Sequence, residues 1–345
     1  MKRLFSLLVL MVAFCSFSFA TVRTLCNMPY SPGQYNNFND AQNASIDGDT
    51  IYVHGSTIDY GSINIDRALV VIGTGHHPDK QNPLVSSFNQ ITISSHNVQL
   101  IGLRMNHVFT FSYINGVIKK CRITGSSNGE SLGLAYADNW LIEGNIIESP
   151  SIYTCIFFGG QAASNTIIQN NIFLSSVEKI GGINNNSSQR TYILNNVFLG
   201  LSSNQNTFFD IQYSTLDNNI FYSSMPNGGL FTNCLMNNNI SFASFDNTFY
   251  QPGSNNIIVD PLFNYYPGFQ SMYDYNWDLG IDVTSPGHNY GTDGTDVGVF
   301  GGLGFKFTET GEPSIAEITA FTITSPTVIA PGGSLTISVT SKRVH

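Results

Sequence analysis

Six residues have side chains suited to chemistry on a shared surface: Asp138 and Asp210, Asn184 and Gln212, Tyr136 and Tyr153. A carboxylate can take a proton or hold a cation, an amide can pair with hydroxyls, and a tyrosine ring can stack on a sugar. Cleaving a glycosidic bond needs two carboxylates flanking it, and no close acidic cluster supplies them. A calcium-dependent elimination needs several stacked acids and a Lys or Arg base. Asp210 is a thin start for that, because the one basic group, Arg104, Lys119, Lys120 and Arg122, falls on a different strand. No nucleophile turn supports a Ser-His-Asp arrangement. His76-His77-Pro78-Asp79 contains metal-ligating types, but adjacent residues rarely converge on one ion, so the stretch reads as a solvated loop. No cofactor is implied. Asp293 and Asp296 are the calcium candidates, and they lack the denser oxygen spacing of a calcium loop.

The elements that position these residues come from a repeat. One phrase returns as Gly144-Asn145-Ile146, Asn170-Asn171-Ile172-Phe173, Asn195-Asn196-Val197-Phe198, Asn218-Asn219-Ile220-Phe221 and Asn238-Asn239-Ile240. Counted on Asn145, Asn171, Asn196, Asn219 and Asn239, the steps are 26, 25, 23 and 20 residues, a period that implies a solenoid. Three positions before each stand Ile142, Ile168, Ile193, Leu216 and Met236, and one position after stand Ile146, Ile172, Val197, Ile220 and Ile240. Branched residues flanking a polar column read as short strands joined by tight turns, and no stretch sustains a helical period. Stacked parallel strands about 4.8 Å apart place each residue over its equivalent. The asparagines then form a ladder of amides and also suit a left-handed corner. Cys121 falls in the same column one coil earlier, with Lys119 over Glu143 as a surface pair.

Residues 1–20 read as a secretory leader: Lys2 and Arg3, an apolar run, then Ser18-Phe19-Ala20 for cleavage. The run is too short for a membrane span. The expected location is therefore extracellular or at a cell surface. A net charge of −9 with only 11% charged residues argues against nucleic acid and against an anionic membrane surface. Cys26, Cys121, Cys155 and Cys234 form no CxxC pair. Export permits disulfides, but buried free thiols fit the strand positions better.

Residues 35–44 read as a short helix with Phe38 and Ala41 on one face, a cap for the open solenoid end. Asp47-Gly48-Asp49 then turns into a strand at 50–53, with further strands at 63–65 and 68–73. This order resembles the opening of right-handed parallel β-helix proteins of the pectin-lyase-like group. The Asn-Asn-Ile-Phe repeats resemble that group's inner coils, so the resemblance covers roughly residues 38–245. It implies an all-β chain: a right-handed parallel β-helix solenoid with an N-terminal helical cap and a short β-rich C-terminal tail. The expected divisions are a leader at 1–20, the solenoid with its cap and closing segment at 21–302, and a linker with a partial β tail at 303–345. The order of motifs at 255–302 resembles the closing segment of secreted bacterial β-helix proteins and reads as a seal on the last coil.

The resemblance is specific for fold and poor for function, since the group spans lyases, hydrolases, tailspikes and adhesins. The polygalacturonase motifs are absent here. The expected function is a non-catalytic extracellular protein presenting one long face to a polysaccharide or other surface component. A polysaccharide lyase or glycoside hydrolase is the alternative. The expected face holds Asp138, Tyr136, Tyr153, Asn184, Asp210 and Gln212. Alternation along 208–212 turns Phe209 and Ile211 inward and Phe208, Asp210 and Gln212 outward.

Overall fold

A computed structural model of the protein describes residues 20–29, 32–80, 83–125, 129–149, 152–304, 307–323 and 337–343. The leader, apart from Ala20, and residues 324–336 of the expected β tail lie outside the described residues. The chain is a parallel β-solenoid with three faces. The first face is an eleven-stranded sheet from Val22–Leu25 to Gly253–Ser254, in which strands from successive coils are neighbours. The second face runs from Arg122–Ile123 through Ile146–Ser149, Ile172–Ser175, Val197–Gly200, Ile220–Tyr222 and Ile240–Phe242 to Ile257–Ile258. The third holds Ser87–Ile93, Arg104–Phe111, Leu132–Ala135, Ile156–Gln161, Ile180–Asn184 and Asn206–Gln212. Arg104–Phe111 joins the two, pairing with Arg122–Ile123 at its start and with Leu132–Ala135 at its end. Among the described residues no helix is long and apolar enough to cross a membrane.

Inside, equivalent side chains stack. Phe173, Phe198 and Phe221 lie ring on ring at 4.9 and 5.1 Å, beside the fully buried column Ile142, Ile168, Ile193, Leu216 and Met236. At the corner, each ladder amide donates to the next: Asn145 to Asn171 at 2.9 Å, then Asn196 at 3.0 Å, Asn219 at 3.1 Å, Asn239 at 3.0 Å and Asn256 at 2.9 Å. Each also donates to a carbonyl of the coil before, as Asn171 does to Ile142. Buried amides need this full set of partners. The left-handed conformation belongs to the preceding residue instead: Lys120, Gly144, Asn170, Asn195, Asn218, Asn238 and Asn255 have φ between +52° and +67°. The two roles expected of one asparagine are thus divided between two.

The N-terminal helical cap is not present. The only α-helix among the described residues is Phe38–Asn43, six residues long, capped by Asn37. Phe38 and Ala41 are buried, but the helix ends at Ala44, whose N–H reaches back to the Asp40 carbonyl, and the turn at Gly48, left-handed at +90°, follows at once. So short a helix has no stability of its own. The first rung is the strand Val22–Leu25, parallel to Thr50–Val53, with Tyr35 bridged to Leu25.

The closing segment does more than seal the last coil. It runs back along the second face, held by the left-handed residues of the repeat. Asn238 donates to the Tyr290 carbonyl at 2.6 Å, and Asn218 exchanges bonds with Thr292 at 3.1 and 2.8 Å. Asn170 donates to Val299 and Gly301 at 2.9 and 2.7 Å, and Lys120 to Glu312 at 3.1 Å. Beneath this strap, the outward residues Ile146, Ile172, Val197, Ile220 and Ile240 pack against Tyr273, Trp277, Leu279, Val297 and Val299. The tail forms a two-stranded antiparallel pair, Ala316–Ile323 with Ile337–Arg343.

Candidate functional site

The strap covers the second face and leaves the third bare. There the register places Phe109 beside Gly133, Gly133 beside Phe157, Phe157 beside Gly181, and Gly181 beside Phe209. An outward column therefore alternates phenylalanine with glycine, coil by coil. The rings lean over the gaps the glycines leave. A Cβ on Gly133 would meet Phe109 Cδ2 at 2.9 Å, and one on Gly181 would meet Phe209 at 3.2 Å. The Phe157 ring lies over Gly182, where an added Cβ would stand 2.6 Å from Cε2. Phe109 and Phe209 remain 37% and 42% exposed. Phe111 and Tyr136 extend the aromatic surface along one edge, edge to face at 5.3 Å.

The strand at 206–212 departs from simple alternation. Phe208 is fully buried and Phe209 is exposed, the reverse of the expectation. Asp210 explains this: its φ of +47° kinks the strand, so Ile211 turns inward two residues after Phe209 rather than with it. Gly182 sits at the matching place in the coil before, also left-handed at +73°. The Asp210 carboxylate accepts the Leu230 N–H at 3.0 Å, which makes it a brace between coils.

The other predicted residues are spread around this face. Gln212 donates to Asn184 at 3.3 Å, an exposed amide pair across adjacent coils. Tyr136 follows the strand Leu132–Ala135, whereas Tyr153 precedes Ile156–Gln161, so the two tyrosines stand at opposite edges. Asp138 lies in the corner beyond Tyr136, where its carboxylate accepts the Ser164 N–H at 2.6 Å. The structure thus groups Asn184, Asp210 and Gln212 and separates them from Tyr153 and Asp138. Glu130 was not foreseen. Its Oε1 lies 2.4 Å from where a Gly133 Cβ would stand, putting a carboxylate over the aromatic column, and its carbonyl contacts His107 Nδ1.

Three of the four basic residues set aside earlier, Lys119, Lys120 and Arg122, have structural partners. Lys119 pairs with Glu143 at 2.7 Å, and Arg122 with Glu148 at 2.7 Å. Arg122 also donates to the Tyr273 carbonyl and lies 4.8 Å over the Tyr275 ring. His76 is held by the Tyr275 hydroxyl at 2.9 Å, and burial pushes its pKa down to about 3. Below the face, Lys179 is fully buried, and its Nζ has no hydrogen-bond partner among the described residues. Desolvation lowers its pKa to about 8 and raises the Cys155 thiol to about 12. Cys26, Cys121, Cys155 and Cys234 are free and buried.

Asp293 caps Thr295 through its N–H and hydroxyl, and Asp296 accepts from Asn289 and lies 2.8 Å from His288. Among the described residues no three His, Cys, Asp or Glu side chains converge as a metal site. A separate cleft of about 420 Å³ opens at the closing segment, lined by Tyr222, Asp260, Phe263, Tyr266 and Asp282. No model of a known protein family and no curated protein matches this chain.

Proposed function

We propose that the protein is an exported, right-handed β-helix of bacterial type that binds a polysaccharide or other cell-surface glycan along its third face without cleaving it. The observation that carries this is the outward column of exposed Phe109, half-buried Phe157 and exposed Phe209 with Gly133 and Gly181 between. Planar rings laid beside glycines make an apolar strip, interrupted at Gly133 by the Glu130 carboxylate, which suits the C–H face of a pyranose. The amide pair Asn184 and Gln212 offers donors and acceptors to hydroxyls at its edge. The right-handed winding follows the strong bias of parallel crossovers. Export rests on the leader at residues 1–20.

One observation favours the enzyme reading: Glu130 stands over the column beside His107. Hydrolysis would need a second carboxylate across the bond, whereas Asp210 and Asp138 already accept backbone N–H groups. The test is retention of the protein, from Thr21 onward, on a panel of insoluble polysaccharides, with reducing ends measured in parallel. Retention should fall in a Phe109→Ala, Phe209→Ala double variant whose melting curve is unchanged, with no new reducing ends. Reducing ends that appear with the wild type and vanish in Glu130→Gln would replace binding by catalysis. Retention that survives the double variant would move the site elsewhere.

A further inference from the structure

Resting on that reading of the third face, we infer that its polymer is an uncharged, extended glycan with equatorial 1,4 linkages, lying parallel to the solenoid axis at about one sugar per coil. The direction follows from the column itself. Phe109, Phe157 and Phe209 share one register line that crosses the strands, so a chain touching all three must run from coil to coil.

The linkage follows from the period. The phenylalanines recur every second coil, about 9.6 Å apart along the axis, with glycine in each coil between. In a chain joined through equatorial bonds, each sugar is turned over relative to the last. The same ring face therefore returns with every second sugar, matching a platform that alternates ring and gap. A maltose-type chain, axial at C1 and equatorial at C4, curls and leaves a straight column well within the roughly 19 Å from Phe109 to Phe209.

The charge follows from what stands around the column. In the strands from Arg104–Phe111 to Asn206–Gln212, the charged residues are Asp210 and Arg104, and Arg104 stands at the far end of its strand, five positions before Phe109 and beside Arg122. The corners that feed them carry Glu130, Glu178 and Asp138. Lys179 is turned into the interior, and Arg190 donates to the Ser214 carbonyl. A polyuronate laid here would meet carboxylates along the column, with Arg104 the one exposed cation on these strands and set off at the far end of the first. A cationic polymer would gain little from Asp210 and Asp138, which already accept backbone N–H groups. Rings and amides remain, and these are the partners of hydroxyls and uncharged rings.

The experiment is calorimetric titration of the wild type and of Phe157→Ala with cellohexaose, N-acetylchitohexaose, maltohexaose and hexagalacturonate. Phe209→Ala serves as a second variant should Phe157→Ala unfold. At least one of the two neutral β-1,4 hexamers should bind, with an affinity falling about tenfold, or ~1.4 kcal/mol, in the variant. Maltohexaose and hexagalacturonate should bind at least tenfold more weakly. Equal or tighter binding of maltohexaose overturns the linkage, and of hexagalacturonate, which is both charged and axially linked, the charge and the linkage together, while the glycan face stands in both cases. Binding of none of the four, together with no retention on any polysaccharide, overturns the glycan face as well.

Discussion

Asn195 and Asn196 are chemically identical neighbours, yet their removal should differ severalfold in effect. Asn196 donates to the Ile168 carbonyl at 2.8 Å and to Asn219 Oδ1 at 3.1 Å. Its own Oδ1 accepts the Asn171 N–H and the Asn171 amide, each at 3.0 Å. Asn196→Leu keeps the shape and deletes all of this. The Ile168 carbonyl, the Asn171 N–H and one Asn171 amide hydrogen then lose a partner. Asn171 and Asn196 are fully buried, so water cannot substitute. At about 1–3 kcal/mol for each of these three groups, the loss is roughly 3–9 kcal/mol, a large part of a typical domain's stability. Asn195 has φ +53° and a single 3.4 Å bond to the Asp296 carbonyl. Asn195→Gly retains the left-handed corner and should cost about 1 kcal/mol or less. Urea unfolding followed by circular dichroism measures both. If the two variants unfold at the same midpoint, or Asn196→Leu stays within about 1 kcal/mol of the wild type, the ladder does not stabilise the solenoid as argued.

Two pH effects follow from buried bases. Lys179 has a folded pKa of about 8 against 10.5, so between those values the unfolded chain holds more protons and stability rises with pH. Below pH 8 the buried charge costs about 3 kcal/mol. Lys179→Met should be more stable by up to that amount at pH 7, with the advantage shrinking from pH 8 to 10.5; a constant difference across that window would contradict a buried, strained ammonium. His76 has a folded pKa of about 3 against 6.5, so stability should fall as pH drops through that window. His76→Gln cannot titrate, and the wild type should lose stability relative to it on acidification. A pH-independent gap would mean that His76 is not held neutral against Tyr275.

The coil was legible because its chemistry repeats. Ile142 to Ile147 and their equivalents fix the strands, the inward column and the ladder with no knowledge of the turns. Asn256 escaped because its step is only 17 residues. The separate job of Asn170, Asn195, Asn218 and Asn238 was hidden because their partners are remote: Asn170 meets Gly301 at a separation of 131 residues. The candidate face was legible only in part. Alternation assumes every residue is extended, and the left-handed Asp210 exchanges the fates of Phe208 and Phe209. The column Phe109, Gly133, Phe157, Gly181, Phe209 has unequal steps in sequence, so the ladder register had to be carried around the coil to find it. The helical cap was read from one apolar pair, Phe38 and Ala41, which supports a single turn and no more.

The second and third faces meet the same problem with different residues. Both carry apolar side chains on the outside of the sheet, where water would otherwise lie. On the second face these are branched: Ile146, Ile172, Val197, Ile220 and Ile240, each at most 1% exposed. Branched side chains form a ridged surface that interdigitates with Trp277, Leu279 and Val297, and the chain supplies that cover itself. On the third face the residues are planar rings over glycine, which leave nothing to interdigitate with. A strap packed there would find few holes to fill, whereas a flat, ring-shaped ligand would lose little by the lack of relief. Glycine in a strand interior also sacrifices stability, and Gly133 and Gly181 accept that loss to let the rings lie down. Exposed apolar surface of this kind marks an interaction site when it is contiguous. The face left uncovered is thus the one whose shape suits the glycan proposed above, and Gly181→Ala should weaken polysaccharide retention by lifting the Phe209 ring; unchanged retention would refute that role for the column.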